Sequence, residues 1–237
     1  MKYGHYADDQ FPINKYLNYK TNSHGFRCLE FSPLPVGGKN VIVLGCSHTF
    51  GQGLEESEIW ITQLEKLLNN KMLRFWNLAQ PGASPDACVR LLYASEKVLF
   101  PKIIIVCWPA WSRRERLDVY PINLTGDDPL LKQETSLTDQ NNFLKCVFLV
   151  EKFAEHIQAN VFHCFAQDLY MIPGNKNVLE SHSLRSCWPV WDNHHLPGAR
   201  RTIETETDMA RDGIHYGIKH HRTFAELMFE RFKTRIK

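Results

Sequence analysis

Three residues of this 237-residue chain have side chains suited to acyl transfer: Ser47 in VIVLGCSHTFG, and Asp212 and His215 in ARDGIHYG near the C-terminus. Ser47 follows an apolar run and a glycine, the pattern of a short strand buried on both faces that delivers a hydroxyl to a tight turn at its carboxyl end. Open α/β sheets place their chemistry at that edge. Asp212 and His215 stand on one glycine-containing turn, close enough for the carboxylate to reach the imidazole of its own segment. A serine nucleophile needs a base to take the Oγ proton, a carboxylate to fix that base's tautomer, and donors for the developing oxyanion. Each residue also has a plainer reading. Ser47 could cap a helix, Asp212 could cap a turn, and His215 could be a polar residue at a helix start. Taken together in this chain order they favour acyl transfer.

The elements that must position them follow from periodicity. After Ser47, Trp60, Ile61, Leu64, Leu67 and Leu68 predict a helix over residues 56–70, and LRFWNL a strand over 73–78. Ser84-Pro85 reads as an N-cap and first-turn pair opening a second helix, with Cys88, Leu91, Leu92, Ser95, Val98 and Leu99 on one face. KIIIVCW over residues 102–108 is a third strand, apolar enough to be central. Phe143, Val147, Val150, Ala154 and Ile157 mark a third helix, NVFHCF over 160–165 a fourth strand, and Phe224, Leu227, Met228 and Phe232 a C-terminal helix. The alternation of strand and helix predicts a parallel sheet covered on both faces, with every βα loop at one edge. A single domain over residues 1–237 is expected, with an irregular N-terminal arm over 1–38 and active-edge insertions over 109–139 and 166–209. The first insertion reads as loop with a short helix. NSHGFR, residues 22–27, reads as a surface turn or part of a site rim, with surface turn the safer reading.

Composition narrows the function classes. A net charge of +2 with no basic stripe gives no reason to expect nucleic acid. No apolar run reaches the ~18 residues of a spanning helix, and the N-terminus lacks the apolar core of a secretory signal. The 7 cysteines, none spaced C-x-x-C and several in apolar runs, read as reduced core thiols, and a cytoplasmic location is expected.

On GCSHTFG around Ser47, NLAQPG ending at Gly82, and DGIH at Asp212 and His215, the chain resembles the SGNH, or GDSL-type, hydrolases over most of residues 40–235. The resemblance implies a three-layer α/β/α, flavodoxin-like domain that hydrolyses esters with no metal or organic cofactor. Carried over, Ser47 is the nucleophile, His215 the general base and then acid, and Asp212 the residue that orients it. The oxyanion hole would draw on the backbone N–H groups of Gly82 and Ser47. Asn77 is either a further oxyanion group or a strand-end turn amide.

Two departures from the family pattern matter. Cys46 stands where an aspartate usually precedes the serine, which costs a supporting hydrogen bond. The family's third block commonly reads G-x-N-D, its asparagine donating to the oxyanion, whereas this chain reads CWPAWSRRE after the third strand. Losing one such donor raises the barrier by about 2.7–4 kcal/mol.

Arg113 and Arg114 in that loop are candidates to replace the missing donor or to grip an anionic substrate; the plainer reading is a solvated pair matched by Glu115. Trp108, Trp111, Trp188 and Trp191 lie in or beside the two insertions. They are candidate binding faces for a sugar ring or an acyl chain, although tryptophans more often fill loop cores. Cys46 and His48 flank the serine, and since adjacent residues on an extended turn point apart, Ser47 rather than Cys46 is the expected nucleophile. His194 and His195, near His182 and Asp192, raise the thought of a metal, but adjacent histidines share one tetrahedral ion poorly and a polar loop is the simpler account. The expected activity is that of a serine esterase on an O-acyl group, with an O-acetyl carbohydrate ester favoured as substrate. The alternatives are a lipid or thioester hydrolase of the same fold, or a carbohydrate-binding or structural protein with little turnover.

Overall fold

The alternating pattern folds into β1 (Lys39–Gly45), α1 (Ser47–Phe50), α2 (Trp60–Leu68), β2 (Leu73–Asn77), α3 (Pro85–Leu99), β3 (Ile103–Trp108), β4 (Arg114–Leu117), β5 (Pro121–Leu124), α4 (Ser136–His156), β6 (Asn160–Phe165) and α5 (Ile218–Phe232). The computed structural model describes residue 17 and residues 19–117, 121–124, 136–165 and 208–233.

Four strands pair in parallel in the order β2-β1-β3-β6. Successive side chains along each strand feed two separate cores. On one face Val41, Val43, Phe75, Ile103 and Ile105 pack with Trp60 and Leu64 of α2 and with Phe224, Met228 and Phe232 of α5. On the other, Ile42, Leu44, Trp76, Ile104 and Val106 pack with Leu91 and Leu92 of α3 and with Phe143, Val147 and Val150 of α4. This is the three-layer α/β/α arrangement expected above. It explains why β1 and β3, covered on both sides, read as unbroken apolar runs. Each such buried side chain contributes roughly 1.5–3 kcal/mol of transfer free energy.

The strand order also fixes where a site can lie. The chain leaves β1 for β2 on one side, then passes back over β1 to reach β3 on the other. Loops leaving the carboxyl ends of β1 and β3 therefore diverge, and a crevice opens between them. Gly45 and Cys107 are register partners at that end, so Ser47 and the loop after Trp108 form its two banks.

Several expectations are corrected. The first insertion contains an antiparallel pair, β4 and β5, registered from Arg114↔Leu124 to Leu117↔Pro121, where loop and a short helix were expected. Its RERL strand has no apolar alternation to announce it. The helix predicted over 56–70 is divided into a 3-10 turn (Glu56–Glu58) and α2, and Ser47 opens a helical turn of its own. Leu67 and Val98, assigned above to apolar faces, are exposed. The described cysteines are all free thiols, and Cys46, Cys88, Cys107, Cys146 and Cys164 are buried. Among the described residues no helix is long and apolar enough to cross a membrane. Apart from residues 208 and 209, the second insertion lies outside the described residues.

The 22–27 stretch is a turn, closed by Asn22 Oδ1 accepting from the N–H groups of His24 and Phe26, but it is not a surface one. Arg27 is only 4% exposed. Its guanidinium lies over the Tyr19 and Phe50 rings and donates to the carbonyls of Phe50 at 3.1 Å, Gly51 at 2.7 Å and Leu54 at 2.6 Å. One fork thus pins the loop that follows α1. Arg27→Met leaves three carbonyls without their charged donor and is expected to cost about 3–5 kcal/mol, a fall in Tm on the order of 10 °C. Arg27→Lys is expected to fall between, because an ammonium does not span the fork. Urea and thermal unfolding measure both; a loss under ~1 kcal/mol in the Met variant contradicts this role.

Candidate active site

Ser47 occupies the first position of α1, with Cys46 as an extended N-cap residue. The N–H groups of Thr49 and Phe50 return to the Cys46 carbonyl and close the turn. Only glycine fits before it, since a Cβ on Gly45 would sit 2.3 Å from Thr49 Oγ1 and 2.9 Å from the Cys107 carbonyl. The first N–H groups of a helix have no intrahelical partner, so this turn aims donors where an anion would form.

The Asp212–His215 turn packs onto the same loop. The bond from Ala210 N–H to the His215 carbonyl, 2.7 Å, and the bridge between Met209 and Tyr216 fold residues 208–217 back on themselves. Within that fold His215 Nδ1 donates to Asp212 Oδ2 at 2.6 Å, while Asp212 Oδ1 accepts the backbone N–H groups of Ile214 and His215, each at 3.0 Å. The turn is held against Gly53 by Arg211 N–H donating to the Gly53 carbonyl, and Arg211 grips Glu58 through two bonds of 2.6 and 2.8 Å. Gly53 has φ +80°, and a Cβ there would lie 2.7 Å from Ala210 Cβ and 2.9 Å from Asp212 Cγ. Any larger residue therefore pushes the carboxylate off its place.

His48, noted above only as a neighbour of the serine, links the two turns. Its ring meets His215 edge-on at 5.2 Å between centroids and stacks on Tyr216 at 5.3 Å; Tyr216 in turn stacks on His220 at 4.4 Å. Only its adjacency to Ser47 hinted at this in the sequence. Ser47, Asp212 and His215 are thus gathered at the carboxyl edge of β1.

The loop carrying Gly82 joins them. Leu78 N–H and Gln80 N–H continue the ladder to the carbonyls of Val43 and Gly45, and Ala83 N–H returns to Gln80, leaving Gly82 at φ +73° with nothing within 4 Å of where a Cβ would stand. Asn77 is committed elsewhere. Its Nδ2 donates to the Thr49 carbonyl at 3.3 Å and its Oδ1 accepts Ala79 N–H at 3.2 Å, which makes it a brace between the serine turn and the Gly82 loop, not an oxyanion donor.

Two proposed substrate residues are corrected as well. Trp108 is fully buried, with its Nε1 donating to His163 Nδ1 at 2.9 Å and its ring edge-on to Phe143. It belongs to the core at the end of a central strand. Arg114 pairs with Asp139 at 2.5 Å and is mostly covered. Glu115 is taken by Arg90, which binds it through both Nε and Nη2, so it does not match Arg113 or Arg114. Trp111 is half-buried against the α3/α4 core. Arg113 is half-buried at the crevice, its Nη1 3.4 Å from the Ala83 carbonyl. Trp188, Trp191, His182, Asp192, His194 and His195 lie outside the described residues. Among the described residues no group of three or more His, Cys, Asp or Glu is arranged to hold a metal ion.

Burial opposes ionisation of Asp212, but the N–H groups of His215 and Ile214 and the His215 ring outweigh it, and the carboxyl is held below its ordinary range. Burial raises the Cys46 thiol, which leaves it protonated beside the serine hydroxyl. Burial, with the neighbouring His215 and Arg113, pushes His48 down to about 3, with Asp212 opposing and His220 adding slightly. Burial likewise holds His221 well below its ordinary value, and its Nδ1 accepts Trp60 N–H.

A consequence for stability follows from His48. Its folded pKa lies below the unfolded value of about 6.5, so between those values the unfolded chain binds a proton that the native protein does not. Its contribution is complete above the unfolded pKa and is lost as pH falls toward 3. At pH 5 the loss is about 1–2 kcal/mol, allowing for partial solvation of the ring. Urea unfolding at pH 7 and pH 5 is expected to show a smaller acid loss in His48→Phe than in the wild type. Equal losses would contradict it.

No family model matches the chain, and no curated protein matches it in sequence. Solved structures do match. It is similar to TesA at 16% identity, TM-score 0.57, over 83% of this chain and 99% of that one. It is also similar to the psychrotrophic esterase EstA from Pseudoalteromonas sp., in a structure inhibited by monoethylphosphonate, at 13% identity and TM-score 0.54, over 83% and 97%. A carbohydrate acetylesterase family member from Sinorhizobium meliloti matches at 11% identity and TM-score 0.52, over 83% and 98%. The chain has the fold of the GDSL-type hydrolases.

Proposed function

We propose that the protein is a serine esterase that works through an acyl-enzyme, with Ser47 as nucleophile, His215 as base and then acid, and Asp212 as the residue that orients His215. The observation that carries this reading is the Asp212–His215 pair, 2.6 Å apart, turned against the His48 ring that directly follows Ser47. A carboxylate on Nδ1 leaves Nε2 as the acceptor, the tautomer a general base requires. The Ser47 Oγ proton passes to Nε2 as Oγ bonds to the ester carbonyl carbon. Collapse of the tetrahedral adduct expels the alcohol, which takes that proton. Water repeats the sequence to release the acid. The backbone N–H groups of Ser47 and Gly82 serve the oxyanion.

For the substrate we favour an O-acetyl ester of a carbohydrate. The support is the likeness to the Sinorhizobium acetylesterase family member together with the polar crevice walls contributed by Arg113 and His215; the buried Trp108 adds nothing to it. Hydrolysis of p-nitrophenyl acetate by wild type and Ser47→Ala tests the reaction, with activity expected in the first alone. Acetylated xylo-oligosaccharide set against a long-chain acyl thioester tests the substrate class. A higher kcat/KM on the thioester would replace the carbohydrate reading with that of an acyl-thioester hydrolase.

A further inference from the structure

The loop after β3 has no asparagine to stand over the oxyanion, yet it places a cation there. The Arg113 N–H closes a turn on the Ala110 carbonyl at 3.1 Å, which fixes the root of the side chain on the β3 bank of the crevice. From that bank the guanidinium crosses to the Gly82 loop and reaches the Ala83 carbonyl. Cys46 and His48, the two neighbours of Ser47, both feel its charge. The surrounding ions are otherwise engaged, Arg114 with Asp139 and Arg90 with Glu115, and among the described residues no carboxylate pairs with Arg113. A half-buried guanidinium with several N–H groups beyond its bond to Ala83 is suited to meet a developing negative charge.

Resting on the esterase reading above, we infer that Arg113 is the side-chain donor of the oxyanion hole, in the place the loop after β3 leaves without an asparagine. When Ser47 Oγ adds to the ester carbonyl, the π pair moves onto the carbonyl oxygen. The alkoxide then accepts N–H bonds from Ser47, Gly82 and the Arg113 guanidinium. Arg113 gives up no proton; it is a fixed charge aimed where charge develops, and such preorganised donors act mainly on the chemical step. The length of the arginine side chain compensates for its position, several residues beyond the end of the strand.

The test is steady-state hydrolysis of p-nitrophenyl acetate by wild type, Arg113→Ala, Arg113→Gln and Arg113→Lys, with thermal melts to confirm folding. The expected result is a fall in kcat on the order of 10²- to 10³-fold for Ala, with KM within about threefold, and partial retention by Lys. The rate of phosphonate labelling at Ser47 should fall in parallel, because the phosphoryl oxygen takes the same place. A folded Arg113→Ala variant with wild-type kcat overturns the inference while the esterase reading stands. So does a loss seen only in KM and only with an anionic ester such as p-nitrophenyl succinate, which would make Arg113 a substrate anchor. A folded wild type that neither turns over nor labels overturns both.

Discussion

Asp212→Asn is expected to lower kcat for p-nitrophenyl acetate on the order of 10⁴-fold while leaving the fold in place. The size of the effect follows from the surroundings of the carboxylate. Its Oδ1 already accepts the backbone N–H groups of Ile214 and His215, so an asparagine must keep its oxygen on that side. Its NH₂ then faces His215 Nδ1 and turns that nitrogen into an acceptor. The ring proton moves to Nε2, and the base can no longer take a proton from Ser47. Asp212→Ala removes the turn's acceptor as well and should lose stability along with activity. A fall of less than tenfold in the Asn variant would show that His215 is not the base, or that something other than Asp212 sets its tautomer.

Ser47→Ala is expected to have the larger effect, taking kcat to the uncatalysed background, a fall on the order of 10⁶-fold. Alanine suits the first position of α1, and Ser47 itself is nearly buried, so the turn should survive the change. Cys46 does not take over, since its thiol is buried and held protonated. Members of one catalytic unit do not add, so the Ser47→Ala, Asp212→Asn double variant should be no slower than Ser47→Ala alone. A double variant slower by a further large factor would mean that the two act separately.

The sequence showed the frame of this site because the frame is periodic. The apolar runs of β1 and β3 and the steps of three and four in α3 and α5 arise directly from burial on two faces or one, and the Asp212–His215 turn is local enough to be read from its spacing. What it hid depends on distance in the chain. Arg27 reads as part of a polar turn because the carbonyls it grips lie 23–27 residues away. The bracing role of Asn77 requires knowing that the Thr49 carbonyl faces it. Trp108 reads as a loop-side aromatic because the sequence ends its strand there, and only the packing of Phe143 and His163 makes it core. Arg113 and Arg114 are adjacent and chemically alike, and what separates their roles is Asp139, an acid from the start of α4 that claims Arg114 alone.

The most direct measurement is the intact mass of the protein after reaction with an ethyl phosphonate probe of the kind bound by the similar EstA esterase, with peptide mapping of the adduct. The account predicts one adduct on wild type, located at Ser47, absent from Ser47→Ala and slowed in Asp212→Asn. An adduct that persists in Ser47→Ala, or a wild type that takes up none while folded, would contradict the assignment of Ser47 as an activated nucleophile.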